Sequence, residues 1–170
     1  MTHGLGWLVE LRGDLHLDAT LRIFEQERYR RDSRWKWSDP FMTFSIYALL
    51  GDRAPTISDE VLVTELKEYF RKKDDFALEF EEAIMLCWGD WRVRFFYEHG
   101  PEVEQDSTVI ARILGAIAPY DLSSIDRRIR VVFPDDDTRE HTNHVLFAMD
   151  FLRSIPGVIM FDPQQRDLVP

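Results

Sequence analysis

The chain contains very little cysteine and no long apolar run. Cys87 is the single cysteine among the 170 residues, so no internal disulfide can form. No apolar stretch approaches the roughly 20 residues that a membrane-spanning helix requires. A basic, apolar and small-residue signal peptide is also missing before Trp7. These absences predict a cytoplasmic protein in a reducing environment that does not insert into a membrane.

Basic residues are in the minority. The chain has 31 acidic and 21 basic residues and a formal net charge of -10. This excess of acid argues against general binding to nucleic acid or anionic membranes, and it favours a partner with a basic surface. A hydrophobic content of 45% over 170 residues is enough for one substantial core, and we predict a single domain spanning residues 1–170.

The common catalytic signatures are absent as well. The chain has no GxSxG motif, no glycine-rich phosphate loop, no HExxH and no paired CxxC. Common hydrolases, nucleotide-binding proteins and zinc ribbons therefore become weaker hypotheses, and we predict no cofactor. Cys87 lies between Leu86 and Trp88 in an apolar segment, which predicts a small buried core residue and not a nucleophile.

The most legible part of the chain is a strand, a helix and a strand between residues 126 and 163. The apolar residues Ile129, Val131 and Phe133 alternate with other residues, which is the period of a strand with one buried face. Asp137 and Glu140 have the spacing of a capping box at a helix start. Apolar or half-apolar residues then recur at helical spacing: His141, Val145, Ala148, Met149, Leu152 and Ile155.

This helix should stop at Pro156-Gly157, before an apolar strand over Val158 to Phe161. The result is a βαβ unit, in which the two strands run parallel and are joined by a right-handed crossover.

Other segments predict further strands and helices. A helix from Asp18 is preferred over a hairpin for residues 15–24, and residues 27–36 are interpreted as a basic, solvated helix end. The remaining elements are strands at 7–11, 41–50 and 76–80, a hairpin of 83–88 and 91–98 around Gly89-Asp90, and helices from Ser58 and over 101–114. Together they predict an α+β domain with a mixed sheet of five to seven strands and about four helices.

Four arginines should share one partly open face of this sheet. They alternate with apolar residues along two strands: Arg92, Arg94, Arg128 and Arg130. If the two strands are neighbours, the guanidinium groups would form a patch suited to carboxylates or a phosphate of a partner. The preferred interpretation is that they pair at the surface with acids of the sheet itself, such as Glu79, Glu81 and Glu98.

Acids and two histidines also cluster near the start of the C-terminal helix. The cluster consists of Asp135, Asp136, Asp137, Glu140, His141 and His144. Such residues could hold a metal ion in a metal-assisted hydrolase. Helical zinc motifs space their histidines at i and i+4, however, whereas His141 and His144 are three residues apart. We therefore predict no metal, and interpret the cluster as a helix cap followed by a half-buried histidine.

Several of these features together resemble a known class of protein. They are Asp126 to Ile129, the acidic run, His141, Asn143 and His144 at a helix start, Phe161 to Pro163, and the preceding hairpin at Gly89 to Trp91. Over roughly residues 76–165 this order is similar to the C-terminal half of small cytosolic bacterial toxin-immunity proteins. The resemblance implies a non-catalytic protein that neutralises one cognate toxin by occluding its active site.

Candidate residues for contact with such a toxin follow from charge and position. Glu102, Asp135 and Asp136 lie at predicted helix starts, where we expect them to be exposed to solvent. The four arginines described above form a second candidate surface. Two further hypotheses stay open at this point. One is the metal-assisted hydrolase, and the other is a structural or regulatory domain that oligomerises through an exposed strand.

Overall fold

Seven strands form one sheet in the computed structural model, which describes residues 44–73 and 76–170. The strands are β1 (Phe44–Leu50), β2 (Ala77–Phe80), β3 (Ile84–Trp88), β4 (Trp91–His99), β5 (Arg127–Phe133), β6 (Val158–Asp162) and β7 (Asp167–Leu168). The expectations for residues 7–11, 15–24, 27–36 and 41–43 lie outside the described residues, and so does part of the predicted single domain.

The sheet has the strand order β2-β3-β4-β5-β1-β6-β7, and each pair of neighbours in it is antiparallel. The α-helices of the described residues are α1 (Asp59–Phe70), α2 (Pro101–Leu114) and α3 (Thr142–Ser154), and a 3-10 helix covers Gly115–Ile117. The predicted α+β class is confirmed, with three α-helices in this part of the chain instead of about four. The predicted mixed sheet is wrong, because every pair of neighbouring strands in the described residues is antiparallel.

The predicted βαβ unit is present, with one strand inserted into it. β1 is antiparallel to both β5 and β6, so β5 and β6 are parallel to each other, as predicted, but are not adjacent. Ala48 of β1 pairs with Ile129 on one side and with Met160 on the other. The last three residues of β1 are all buried, which is typical of a strand covered on both faces at the centre of a sheet.

Short sequence signals correctly predict where two helices begin and where one hairpin turns. The Ser58 hydroxyl accepts a hydrogen bond from the Val61 amide at 3.3 Å, so Ser58 caps α1 as predicted. Gly89, with φ of 63°, forms the turn of the predicted β3–β4 hairpin together with Asp90. α2 has the predicted bounds, and it begins with Pro101, whose missing amide hydrogen costs nothing at a helix start.

The helices lie on opposite faces of the sheet. On the first face α1 and α3 bury side chains against β1, β3, β4 and β5, and the helix residues in this core are Leu62, Leu66, Phe70, Ala148, Met149, Phe151 and Leu152. On the second face α2 packs Ile110 and Leu114 with Leu49 and Phe161. The second face carries the predicted arginines and is covered by α2 near one end of β5.

Candidate functional site

The four predicted arginines share the second face of the sheet. β4 and β5 are neighbours, and their register places Phe96 opposite Arg130 and Glu98 opposite Arg128. Arg94 lies opposite Val132 in the same ladder. Because residues directly opposite each other point to the same side, the arginines of both strands share a face with Glu98. The predicted arginine patch required these two strands to be neighbours in the sheet, and they are.

Arg128 is buried within the protein and does not form part of an exposed patch. Its side chain is 0% exposed to solvent. Its Nε donates to Glu98 at 2.6 Å, and its Nη1 donates to Asp106 of α2 at 2.9 Å. The guanidinium carbon also lies 4.2 Å from the ring centre of Tyr47. Two carboxylates and an aromatic face thus compensate for the burial of one charge.

The other arginines differ in their surroundings. Arg130 donates through Nε to the second oxygen of Glu98 at 2.8 Å, and its guanidinium carbon lies 4.1 Å from the centre of the Phe96 ring. Arg92 is exposed and Arg94 is half-buried. Burial lowers the pKa of Arg94, and the positive charge of Arg92 lowers it further. Among the three acids predicted as internal partners, Glu98 is the one that pairs with both Arg128 and Arg130.

A second cluster lies where the β3–β4 turn meets the start of α3. Trp91 and His141 are stacked with ring centres 4.5 Å apart and an interplanar angle of 8°. Trp88 and His144 are stacked at 4.3 Å and 20°. The Nδ1 atoms of the two histidines are 3.1 Å apart. No feature of the sequence predicts these contacts, because the tryptophans and histidines come from elements about 50 residues apart.

The acidic segment before α3 is built differently from the predicted capping box. α3 begins at Thr142 and not near Asp137, and Arg139 has a positive φ of 59°, which interrupts any helix there. Both carboxylate oxygens of Asp136 accept from the His141 amide at 3.1 Å, and one accepts from the Thr142 hydroxyl at 3.3 Å. The predicted capping box of Asp137 and Glu140 is therefore wrong, and Asp136 holds the helix start.

This arrangement changes which acids face the solvent. Asp135 and Asp136 are half-buried, whereas Asp137 and Glu140 are exposed. The carbonyl oxygen of Asp135 accepts a hydrogen bond from the Trp91 indole at 3.1 Å, which fastens the acidic segment to the hairpin. We call residues 135–140 the acidic loop.

Glu102, the third candidate acid, lies far from the acidic loop. It is exposed in the first turn of α2, which follows the end of β4. His99 at that end pairs with Arg127, at the start of β5. The acidic loop follows the other end of β5, and at about 3.3 Å per residue the strand is about 20 Å long. The structure therefore does not bring Glu102 together with Asp135 and Asp136.

The remaining predictions concern Cys87, metal ions and membrane-spanning helices. Cys87 is buried, at 6% exposure, as predicted, and burial together with Glu79 raises the pKa of its thiol while Arg92 opposes the rise. Within residues 44–73 and 76–170, no three or more His, Cys, Asp or Glu side chains form a group suited to a metal ion. In the same ranges no helix combines the length and the apolar character needed to cross a membrane.

Comparisons of the chain with protein-family models, with curated proteins and with solved structures returned no match.

Proposed function

We propose that this protein is an immunity-type protein of the cytoplasm, which binds a cognate bacterial toxin through a basic surface of that toxin and occludes the toxin's active site. The observation that carries the proposal is the distribution of charge. The 43 residues before Phe44 contain seven acidic and seven basic side chains, which cancel. The entire net charge of -10 therefore belongs to residues 44–170. This excess of negative charge attracts a basic partner before the two proteins are in contact.

The acidic loop supports the proposal because hydrogen bonds attach it to the hairpin and to the start of α3. The Trp91 indole holds the Asp135 carbonyl, and Asp136 holds the start of α3. The exposed carboxylates of Asp137 and Glu140 are attached to this fixed backbone. A loop that is already ordered loses less entropy on binding, so its charges contribute more to affinity than they would on a flexible tail.

The arginines of the second face are weaker candidates for contact with a partner than their number implies. Arg128 and Arg130 share one internal carboxylate, that of Glu98. Their positive charge is compensated within the protein, so the acidic loop is the better candidate for contact with a basic partner. Arg92 and Arg94 remain candidates for contact with an acidic one.

The direct test is binding to the toxin encoded beside this protein's gene. The purified full chain and the toxin domain, carrying a substitution that abolishes toxicity, are mixed and examined by calorimetry and size-exclusion chromatography. We expect a complex of fixed stoichiometry and, with active toxin, inhibition at equimolar protein. A neighbouring toxin that neither binds nor is inhibited would remove the proposal.

Self-association through an exposed strand is the second candidate, and it rests on β2. Among the described strands β2 ends the sheet and pairs with β3 alone, and Phe80 on it is 49% exposed. An exposed edge strand with an apolar residue is a site of strand pairing between copies. Light scattering of the full chain and of Phe80→Lys tests it. A monomer at all concentrations contradicts self-association and leaves the immunity proposal intact.

A further inference from the structure

Two imidazole nitrogens converge beside the β3–β4 turn, and the proposed function makes no use of them. The Nδ1 atoms of His141 and His144 are 3.1 Å apart, and the ring centres are 5.3 Å apart. His141 is the N-cap residue, with φ of -104° and ψ of 8°, and does not itself lie in the helix. The i, i+4 spacing of helical zinc motifs applies to two histidines within a helix. It therefore does not decide whether this pair can chelate an ion.

The separation of the two nitrogens is close to that of two imidazoles bound to one metal ion. A histidine nitrogen binds Zn²⁺ at about 2.0–2.1 Å, so two such nitrogens lie about 2.9 Å apart at a right angle and about 3.3 Å apart at a tetrahedral angle. The centres of the two rings are then about 5.2 Å apart at the tetrahedral angle. The two Nδ1 atoms now share a hydrogen bond and point almost directly at each other. An ion that binds must replace this hydrogen bond, and both rings must turn until the lone pairs of the two nitrogens point at the ion.

Each of the two histidine rings stacks on a tryptophan ring. Trp91 stacks on His141 and Trp88 stacks on His144, and these tryptophans flank the β3–β4 turn. The Asp136 carboxylate fixes the His141 backbone through its amide. Ligands that are already positioned by their neighbours lose less entropy when an ion binds.

The surrounding charge favours a cation. The acidic loop leads directly into His141, and its Asp137 and Glu140 side chains are exposed. Negative charge at this place raises the local concentration of cations. Since no group of three or more such ligands occurs in the described part of the chain, the other coordination positions are left to water.

We propose that His141 and His144 form a two-nitrogen site for a divalent ion of borderline softness, which binds Cu²⁺ most tightly and Ni²⁺ and Zn²⁺ more weakly. Imidazole nitrogen suits these ions, and their order follows the general ranking of divalent metals. The ring that carries its proton on Nδ1 takes the Nε2–H tautomer, so both Nδ1 atoms offer a lone pair and no net proton is released. With two protein ligands the ion exchanges readily, so purification without added metal should yield the metal-free protein.

The test is a titration of the full chain with CuCl₂, NiCl₂ and ZnCl₂ after treatment with EDTA and its removal by dialysis. Calorimetry measures binding, and tryptophan fluorescence reports it because Cu²⁺ and Ni²⁺ quench nearby indoles. His144→Phe keeps an aromatic ring on Trp88 but removes the nitrogen, and His141→Phe does the same on Trp91. We expect each variant to bind Cu²⁺ at least about tenfold more weakly. His99→Phe, which changes an exposed histidine elsewhere, should bind normally.

Equal Cu²⁺ affinity in both phenylalanine variants and the wild type would overturn the proposal. So would binding of MgCl₂ as tight as that of CuCl₂ and lost in Asp137→Asn, because oxygen ligands and not imidazole would then hold the ion. A measurement on the wild-type protein covers the case in which a variant fails to fold. Cu²⁺ should broaden the amide resonances around Trp88, Trp91, His141 and His144 first. Broadening confined to other parts of the chain would contradict the site.

Discussion

Arg128 and Glu98 lie directly opposite each other on β5 and β4, and the Arg128 Nε is 2.6 Å from a Glu98 carboxylate oxygen. The other oxygen of Glu98 accepts from Arg130 at 2.8 Å. One carboxylate thus bridges two guanidinium groups of the neighbouring strand, and Asp106 of α2 binds the first of them from above the sheet. This network joins α2 to β4 and β5.

Replacement of Arg128 should destabilise the protein strongly. Arg128→Met fills part of the same space but leaves Asp106 without its guanidinium partner and Glu98 with only Arg130. Removal of one partner from a buried ion pair typically costs about 3–5 kcal/mol, and since both acids retain some solvent contact we expect the lower end, about 3 kcal/mol. Urea unfolding followed by circular dichroism measures the change.

Arg92→Met is the matched control, because Arg92 is exposed on the same face. Its free energy of unfolding should stay within about 0.5 kcal/mol of the wild type. Equal losses in Arg128→Met and Arg92→Met would show that the network of Glu98 and Asp106 does not stabilise the fold.

Asp136 should be the acid on which the start of α3 depends. Asp136→Ala removes the carboxylate that accepts from the His141 amide and the Thr142 hydroxyl, and loss of a helix cap costs about 1 kcal/mol. The adjacent Asp137→Ala removes an exposed carboxylate and should change stability by less than about 0.5 kcal/mol. Thermal unfolding of the two variants distinguishes them. A larger loss in Asp137→Ala would favour the capping box predicted from the sequence.

The reactivity of Cys87 should respond to two neighbouring charges in opposite directions. Burial and Glu79 raise the pKa of the thiol, and Arg92 lowers it. The onset of labelling should therefore lie at higher pH than for a free thiol, since the thiolate is the reactive form. Labelling of the native chain should be at least about tenfold slower than that of the chain in urea, because burial raises the pKa of the thiol and limits the access of the reagent.

Two charge-neutralising variants test this explanation. Glu79→Gln lowers the pKa toward its ordinary value and should speed the labelling of Cys87. Arg92→Gln raises the pKa and should slow it. A thiol reagent with an absorbance readout measures both rates between pH 7 and 9, the range of ordinary cysteine titration. Changes of the same sign in the two variants would contradict an electrostatic cause.

Charge reversal in the acidic loop should slow the association with a basic toxin, if immunity is the function. Asp137→Lys and Glu140→Lys together replace exposed acids and spare the carboxylates that hold the backbone. We expect the association rate to fall by roughly tenfold at low salt and the loss to shrink at high salt, where charges are screened. Stopped-flow fluorescence at several ionic strengths measures the rate.

Glu102→Lys serves as the comparison for the acidic loop. Glu102 lies about 20 Å from the loop along the sheet, beyond the Debye length of about 8 Å at physiological salt. The association rate should therefore fall less than in the double loop variant. An association rate that is independent of salt in every variant would remove the steering explanation.

The local features of this protein can be predicted from short stretches of its sequence. The end signals at Ser58, Gly89-Asp90 and Pro101 correspond to the observed helix cap, hairpin turn and helix start. These signals depend on neighbours a few residues away, which is why they can be read without a structure. The alternation along β4 and β5 likewise predicts which side chains share a face, since a strand has a period of two.

Which of these elements contact one another depends on residues that are far apart in the chain. β1 lies between β5 and β6, Arg128 is buried by Asp106 from α2, and Trp91 stacks on His141. Each of these contacts joins residues more than 20 positions apart in the chain. Periodicity reports the apolar side of a strand but not its neighbour, so the same four arginines could have formed an exposed patch or an internal network. The carboxylates that came within hydrogen-bonding distance decided between the two, because an uncompensated guanidinium could not have been buried.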